Sequence, residues 1–182
     1  MNASWDGASQ DLFAFLLRKV NWVITALTAG FILYTRSSGV VYFTSGAVLC
    51  SLTAKLLKRV VRQPRPLSRP EKKKASYGMP STHSATISFY ATYVTLACAY
   101  LPLHPSLPNN PMIRVIPPVV SPICAYFVAS SRVWLGKHSW PQIAVGCLYG
   151  TVFAIYWFKL WTRGLNEYGR VADGLLEQYI GI

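Results

Sequence analysis

The sequence predicts an all-α membrane protein, a polytopic helical bundle of about five transmembrane helices. Hydrophobic residues make up 52% of the 182-residue chain and charged residues only 13%, against about 25% charged residues in a typical soluble domain. The mean hydropathy is +0.30. Because a bilayer core is roughly 30 Å thick, a spanning helix needs about 20 mostly apolar residues. Five segments approach that length: residues 20–36, 39–57, 84–103, 112–130 and 140–160.

These segments divide a single domain, residues 1–182, into an N-terminal segment (1–19), a transmembrane core (20–160) and a tail (161–182). The first eleven residues contain no Lys or Arg. They therefore lack the basic start of a cleaved signal peptide, and we expect the first span to be retained. Residues 12–19 are apolar and end in two basic residues, which predicts either a short interfacial helix or an extension of the first span.

The tail shows the periodicity of an amphipathic helix. Five of its residues recur at steps of three and four, namely Leu165, Tyr168, Ala172, Leu175 and Tyr179. Surface packing is the favoured interpretation, and a partner site is the alternative. The four cysteines, in contrast, fall inside apolar segments without zinc-site spacing, which predicts buried thiols.

Three short motifs flank the predicted spans. Because spans joined by short connections alternate in direction, residues 58–83 and 131–138 should lie on the same side of the membrane. The opposite side keeps only the turn near residues 36–38, the loop 104–111 and the tail. The motifs are KRVVRQPRP (58–66), PSTH (80–83) and SRVWLGKHSWPQ (131–142).

The first motif supplies two cations suited to a phosphoryl group. Pro64 disfavours helical geometry in the residue before it, so Arg65 is expected just beyond the end of the second helix. The point charge of Lys58 and the forked guanidinium of Arg65 are the groups that bind phosphate oxygens. Basic residues at span ends also serve as interfacial anchors. That is the interpretation for three others in this region: Lys55, Arg59 and Arg69.

The second motif opens an apolar helix. Ser81 and Thr82 follow Pro80, and free backbone N–H groups at such a helix start bind anions, with the hydroxyls as further donors. Helix capping alone would explain these two residues equally well. It does not explain His83, a titratable group in the first helical turn.

The third motif contains a candidate nucleophile. Arg132 can clamp a phosphate, and His138, directly before the last span, can attack phosphorus as a neutral imidazole. Its position beside a helix N-terminus favours the neutral form. Each of these residues has an ordinary structural explanation when it is taken alone. Their collection on one face predicts a site that binds and cleaves phosphate.

These residues resemble the signature of the lipid phosphate phosphatase superfamily, also called the type 2 phosphatidic acid phosphatases. That signature is Lys-x6-Arg-Pro, then Pro-Ser-Gly-His, then Ser-Arg-x5-His-x3-Asp. The resemblance covers about residues 55–145, with Thr82 in place of the usual glycine and Gln142 in place of the usual aspartate. It implies a lipid phosphate phosphatase-like core and metal-independent catalysis through a phosphohistidine. The matching residues are Lys58, Arg65, Pro66, Pro80, Ser81, His83, Ser131, Arg132 and His138.

The resemblance also implies roles. His138 would be the nucleophile, and His83 the general acid that protonates the leaving group. Gln142 would orient the imidazole of His138, or cap the last helix through the S-x-x-Q capping box, or both. The phosphoryl oxygens would be bound by Lys58, Arg65, Ser81, Arg132 and, through its hydroxyl, Thr82. No cofactor and no metal are expected, since Glu71 is the only acidic residue in residues 58–83 and 131–142, too little for a two-metal site.

Within the superfamily, the stretches YGMPSTHS and SRVWLGKHSWPQ resemble the dolichyldiphosphatase branch. That branch has a small hydroxyl residue in place of the glycine and glutamine in place of the aspartate. The resemblance implies hydrolysis of dolichyl diphosphate to dolichyl phosphate and inorganic phosphate, which recycles the lipid carrier of protein N-glycosylation. It also implies an endoplasmic reticulum membrane protein with its active site in the lumen. The positive-inside rule would instead place the basic motif face in the cytoplasm, and we follow the resemblance.

Two other functions remain open at this stage. The chain could be a phosphatase of another lipid, such as phosphatidate, a sphingoid phosphate or another polyprenyl diphosphate. It could also be a catalytically inactive lipid-binding protein, because Thr82 and Gln142 depart from the signature. A nucleic-acid partner is not expected, since the basic residues lie at span ends beside lipid headgroups and form no nucleic-acid-binding module.

Overall fold

The computed structural model describes residues 22–66 and 77–180. Five helices coincide with the five predicted spans, which confirms the predicted all-α fold. They are α1 (Trp22–Thr35), α2 (Ser38–Val61), α3 (Thr82–Tyr100), α4 (Met112–Trp134) and α5 (Trp140–Leu160). A π-helical turn (Trp161–Leu165) then leads into α6 (Asn166–Ile180). The predicted interfacial helix at residues 12–19 lies outside the described residues, as do Arg69 and Glu71.

Within residues 22–66 and 77–180, three helical stretches are long and apolar enough to cross a membrane, and α1 is a shorter apolar helix. The three are Ser38–Val61, Met112–Trp134 and Trp140–Leu176. α3 is more polar because it carries Ser, Thr and Tyr along its whole length. It lies at the centre of the bundle, against α2, α4 and α5, so protein rather than lipid surrounds it. The architecture is that of a multi-pass membrane protein.

The bundle core combines aromatic rings with small residues. Phe89 of α3 is fully buried, with its ring centroid 5.7 Å from that of Tyr93. Around them pack residues of α2, α3 and α5, most of them small, which lets the helices approach closely. The buried members of this cluster are Ala47, Cys50, Ala54, Ala85, Phe89, Tyr93, Ala154 and Phe158.

The outer surface of α4 is apolar, as expected for a helix that faces lipid. Its exposed side chains include Val115, Ile116, Val119, Val120 and Ile123. Cys124 is exposed on the same helix, whereas Cys50 is buried in the core. The prediction of four buried thiols is therefore wrong for Cys124, because an apolar segment of a membrane protein can cover a thiol with lipid instead of protein.

The first motif is positioned by two features, the end of α2 and the segment of chain that returns to α3. α2 ends at Val61, and Arg62 adopts a left-handed conformation with φ of 52° while its N–H binds the carbonyl of Lys58. Arg65 therefore lies beyond the helix, as Pro64 predicts. The chain returns through an antiparallel bridge between Pro64 and Tyr77, next to a hydrogen bond of 2.7 Å from Gly78 N to Gln63 O.

The tail contains α6, which is fastened to the start of α2. The Asp173 carboxylate accepts hydrogen bonds from Ser38 N at 2.8 Å and from Ser38 Oγ at 2.9 Å. An acceptor at this position satisfies a backbone N–H that a helix start leaves free. The contact lies at the end of the bundle opposite to the three motifs.

The backbones of α3 and α5 are almost in contact, because α5 presents two glycines to α3. A Cβ at Gly146 would lie 2.7 Å from the carbonyl oxygen of Ser81. A Cβ at Gly150 would overlap the carbonyl of Ala85. The glycines thus set the distance between the second and third motifs.

We expect Gly150→Ala to destabilise the protein by about 1–3 kcal/mol, since the added methyl group would force the backbones of α3 and α5 apart. The matched control is Gly174→Ala on α6, where a Cβ would have no neighbour within 4 Å, so the variant should be as stable as wild type or slightly more stable. Thermal unfolding of both purified variants in detergent measures the difference. Equal melting temperatures for the two variants would contradict the close packing of α3 on α5.

Candidate active site

The three motifs meet at one end of the bundle. The end of α2, the start of α3 and the connection from α4 to α5 are joined there by direct hydrogen bonds. Ser81 N donates to the backbone oxygen of Gln142 at 3.1 Å, and the Gln142 side chain donates to Pro64 O at 2.9 Å. Residues that are far apart in sequence therefore form a single site.

Gln142 is the buried centre of this network, with 2% of its surface exposed. Its Oε1 lies 3.2 Å from His138 Nδ1 and accepts a hydrogen bond from Ser139 N at 3.3 Å. Its Nε2 donates to Gln63 Oε1 at 3.2 Å as well as to Pro64 O. The same amide thus makes the capping contact and the contact to the histidine ring.

Gly78 belongs to this network although the motif analysis did not single it out. A Cβ at this position would lie 2.5 Å from both side-chain amide atoms of Gln142. Only glycine lets the chain pass this close to the buried amide. The sequence shows only a glycine two residues before Pro80. That alone does not predict the contact, because nothing in the sequence indicates that Gln142 packs against it.

His138 is held in a defined orientation in the connection between α4 and α5. The turn is closed by hydrogen bonds from Lys137 N and His138 N to Arg132 O, at 3.0 and 3.2 Å, with Gly136 in a left-handed conformation. Because an amide oxygen can only accept, the contact with Gln142 places the proton on Nδ1 of His138. Nε2 is then left as the unprotonated nitrogen.

The surroundings keep the imidazole of His138 neutral. Its exposed fraction is 3%, and burial, reinforced by the charges of Lys58 and Arg65, lowers the pKa of His138 from 6.5 to about 4. Hydrogen bonds with Gln142 and with the backbone of Gly78 oppose this change. At neutral pH the ring therefore has a lone pair available for attack.

The start of α3 presents hydroxyl groups in the same region. Ser81 is fully buried and caps α3, since its Oγ accepts from Ser84 N at 3.4 Å and from Ser84 Oγ at 2.9 Å. Thr82 Oγ1 is also buried and has no hydrogen-bond partner among the described residues. Capping therefore accounts for Ser81 but not for the hydroxyl of Thr82.

Arg132 and His83 are the next two residues predicted for the site. Arg132 is 1% exposed in the last turn of α4, which is rare for a guanidinium because burying a charge is costly. His83 is half-buried and interacts electrostatically with Arg132, His138 and Lys58. All eight residues predicted for the site therefore lie at this end of the bundle.

A cavity of about 670 Å³ opens beside these residues, between α2 and α3. Its polar end is lined by Lys58, Arg65, Tyr77, Thr82 and His83, and Arg65 Nε donates to Tyr77 O at 3.4 Å. Its other end is mainly apolar. That end is formed by Ile24, Ala47, Val48, Leu52, Ile87, Tyr90 and Val128. The cavity thus suits a molecule with an anionic head and an apolar tail.

Two further cations line this cavity, Lys55 and Arg59. The sequence interpretation treated them as interfacial anchors, and the structure shows that these two exposed residues also form part of the cavity wall. The spacing was an available signal, because residues 55, 58 and 59 are three and four positions apart and so share a face of α2. In the described part of the chain, no three His, Cys, Asp or Glu residues come close enough together to hold a metal ion.

Comparisons of this chain with known proteins agree on one protein family. The model of the PAP2 superfamily matches residues 38–165. Dolichyldiphosphatase 1 of Rhinolophus ferrumequinum is 32% identical over 157 residues, which covers 81% of this chain and 65% of that protein. The human protein of the same name is 31% identical over 156 residues, covering 82% of this chain and 64% of its own.

A plant relative is more distant. Lipid phosphate phosphatase epsilon 1, chloroplastic, of Arabidopsis thaliana is 27% identical over 154 residues, which covers 85% of this chain and 52% of that protein. The chain thus spans between about half and two thirds of the length of these relatives.

A solved structure shares the fold. It is the crystal structure of the first transmembrane PAP2 type phosphatidylglycerolphosphate phosphatase from Bacillus subtilis, with a TM-score of 0.63 and 19% identity. The match covers 92% of this chain and 80% of that chain. The shared fold and the match of the family model over most of the chain show that this multi-pass membrane protein belongs to the PAP2 superfamily.

Proposed function

We propose that this protein is a lipid phosphatase that hydrolyses dolichyl diphosphate to dolichyl phosphate and inorganic phosphate. The observation that carries the proposal is the buried imidazole of His138, which Gln142 orients. The ring lies within electrostatic range of Lys58 and Arg65, two cations in the wall of a largely apolar cavity. The names of the curated relatives support the choice of lipid. On the same basis, we place the enzyme in the endoplasmic reticulum membrane with this site facing the lumen, where it would recycle the carrier of N-glycosylation.

The reaction needs two displacements at phosphorus. His138 Nε2 attacks the terminal phosphorus, and the bond from phosphorus to the bridging oxygen breaks. His83 takes up a proton once the negative charge of the bound substrate offsets the surrounding cations, and it gives that proton to the bridging oxygen as dolichyl phosphate leaves. Water then attacks the phosphohistidine and gives a proton to His83. The bond between phosphorus and Nε2 breaks, which releases inorganic phosphate and restores the neutral imidazole of His138.

Charge stabilisation comes from side chains, so the proposed reaction is independent of metal. Phosphoryl transfer depends mostly on positioning and on donors directed at the phosphoryl oxygens. Those donors would be the ammonium of Lys58, the guanidinium groups of Arg65 and Arg132, and the hydroxyls of Ser81 and Thr82. The hydroxyl of Thr82 gains in this way the partner that it lacks within the described protein.

The apolar end of the cavity would hold the first units of the lipid chain. Val48 and Leu52 of α2 and Ile87 of α3 form part of this wall. The remainder of a long polyprenyl chain would extend into the bilayer. Such a site holds its substrate without extracting it from the membrane.

Gln142 suits a diphosphate substrate. An amide orients the imidazole but gives its cationic form no charge stabilisation, so it activates His138 less than a carboxylate would. Cleavage of a diphosphate expels a phosphate monoester, a much better leaving group than the alkoxide expelled from a monoester lipid. The weaker activator is therefore sufficient for the diphosphate and insufficient for monoesters.

The names of the plant relative and of the Bacillus structure favour a second candidate, a phosphatase of another lipid. We expect phosphate release from dolichyl diphosphate, in detergent with EDTA present, to exceed release from phosphatidate and from a sphingoid phosphate. Preferential release from either of the latter two would select the second candidate. No release from any of the three would favour an inactive lipid-binding protein.

His138→Ala should lose phosphate release by at least about 1,000-fold, because the covalent route is removed. His104→Ala is the matched control. It makes the same chemical change in the loop at the other end of the bundle, where His104 Nδ1 only accepts from Ser106 N, and it should remain within twofold of wild type. Quenching in alkaline denaturant of a reaction with substrate labelled in its terminal phosphate should trap phosphate on wild-type protein but not on His138→Ala, because the bond between phosphorus and nitrogen is stable in base and labile in acid. Comparable activity in both variants would refute the assignment of the nucleophile.

Gln142→Glu should raise the pKa of His138 from its value of about 4. The variant places a carboxylate of the same length 3.2 Å from Nδ1, and a nearby negative charge favours the protonated ring. NMR titration of histidines labelled at Cε1 measures this, with His83→Gln and His104→Gln to assign the three signals. Gln178→Glu on α6 is the matched control and should leave the midpoint unchanged. An unshifted midpoint in Gln142→Glu would show that the ring does not contact residue 142.

The same variant tests the link between Gln142 and diphosphates. Because the carboxylate strengthens the nucleophile, Gln142→Glu should raise kcat on dolichyl phosphate by a larger factor than on dolichyl diphosphate. Steady-state kinetics on both lipids, with equal chain length and in the same detergent, give the two factors. Equal factors would show that Gln142 does not determine the preference for diphosphates over monophosphates.

A further inference from the structure

Lys55 and Arg59 add two positive charges to a cavity that already contains Lys58 and Arg65. None of the described residues that line the cavity is acidic. One phosphoryl group, held by Lys58, Arg65 and the buried donors around His138, leaves the other two cations without a role in the proposed reaction. The cavity therefore carries more positive charge than a single phosphate requires.

The order of residues along α2 shows where the extra charge lies. A helix rises about 1.5 Å per residue, so the backbone of Lys55 is about one turn deeper in the bundle than that of Lys58. Deeper still, the cavity wall is formed by Ala47, Val48 and Leu52. Along this wall an apolar section thus comes first, then Lys55, and then the cations beside the nucleophile.

A diphosphate lipid has its parts in the same order: tail, inner phosphate, terminal phosphate. With its terminal phosphate at Lys58 and Arg65 and its tail against the apolar section, its inner phosphate falls beside Lys55. Arg59 lies one turn from Lys55 on the same face of α2 and also lines the cavity. We propose that Lys55 and Arg59 bind the inner phosphate, the one that stays on the lipid, and thereby select diphosphates over monophosphates. This inference rests on the proposed function, and it names the residues that recognise the second phosphate.

Arg62 shows how an interfacial cation of the same helix end differs. Lys55, Arg59 and Arg62 are all exposed, but Arg62 does not line the cavity, and its Nε donates to the carbonyl of Arg59 at 3.0 Å. A cation of that kind helps every lipid substrate equally. Lys55 and Arg59 face a defined cavity, so their effect should depend on the number of phosphates in the substrate.

The test compares Lys55→Gln, Arg59→Gln and the double variant with Arg62→Gln as the matched control. We expect the double variant to lose about 10- to 100-fold in kcat/KM on dolichyl diphosphate, as expected for hydrogen bonds to a charged group, and to change less than twofold on dolichyl phosphate. Arg62→Gln should change less than twofold on both lipids. Losses of equal size on the two lipids, or no loss on a diphosphate that wild type cleaves, would overturn the inference and leave the proposed function intact.

A binding measurement tests the proposed site for the inner phosphate independently of catalytic activity. Titration calorimetry gives the Kd of a methylene-bridged alkyl bisphosphonate and of an alkyl phosphonate of equal chain length. The double variant should lose at least about tenfold in affinity for the bisphosphonate and little for the phosphonate. If wild type cleaves no diphosphate but shows this binding pattern, the proposed function fails and the two-phosphate site stands. Unchanged bisphosphonate affinity in the double variant would overturn the site.

Discussion

The buried side-chain amide of Gln142 connects the segments on which the site depends. Its oxygen faces His138 and Ser139, its nitrogen donates to Gln63 and Pro64, and its backbone oxygen accepts from Ser81. A buried polar group left without partners costs about 1–3 kcal/mol. Displacement of any one segment would leave such a group on the others. The end of α2, the start of α3 and the start of α5 therefore hold one another in place, and the geometry of the proposed nucleophile, His138, follows from this mutual constraint.

The electrostatics of the site follow from the same arrangement. The network holds His138 close to Lys58 and Arg65, whose charges disfavour protonation of the ring, while Arg132 is buried beside His83. In the absence of substrate these cations repel one another at short range. An anionic phosphoryl group would relieve that repulsion, so the same positive charge that keeps the imidazole of His138 neutral would also favour binding of the proposed substrate. The hydrogen-bonded frame stabilises what would otherwise be an unfavourable cluster.

The sequence predicts the local features of this structure well and the contacts across it poorly. Apolar runs locate the five helices, Pro64 predicts the end of α2, and the S-x-x-Q pattern predicts the contact of Gln142 with Ser139, because all of these depend on neighbouring residues. The bond between Gln142 and Gln63 joins residues 79 positions apart and has no local signal. The placement of Lys55 in the cavity wall is likewise a property of how α2 rotates against α3, which composition and spacing leave open.

The hydrogen-bonding capacity of an amide gives a structural reason for glutamine at position 142, where the superfamily signature has aspartate. A carboxylate only accepts hydrogen bonds, whereas the amide accepts from His138 and Ser139 and donates to Gln63 and Pro64. With a carboxylate here, two acceptors at the end of α2 would face a negative charge, which would weaken the attachment of the first motif to the third. Glutamine keeps that attachment and leaves the imidazolium of His138 without a counter-charge. A reaction that expels a good leaving group tolerates this loss of activation, so the structural role of the residue and the proposed preference for diphosphates are compatible.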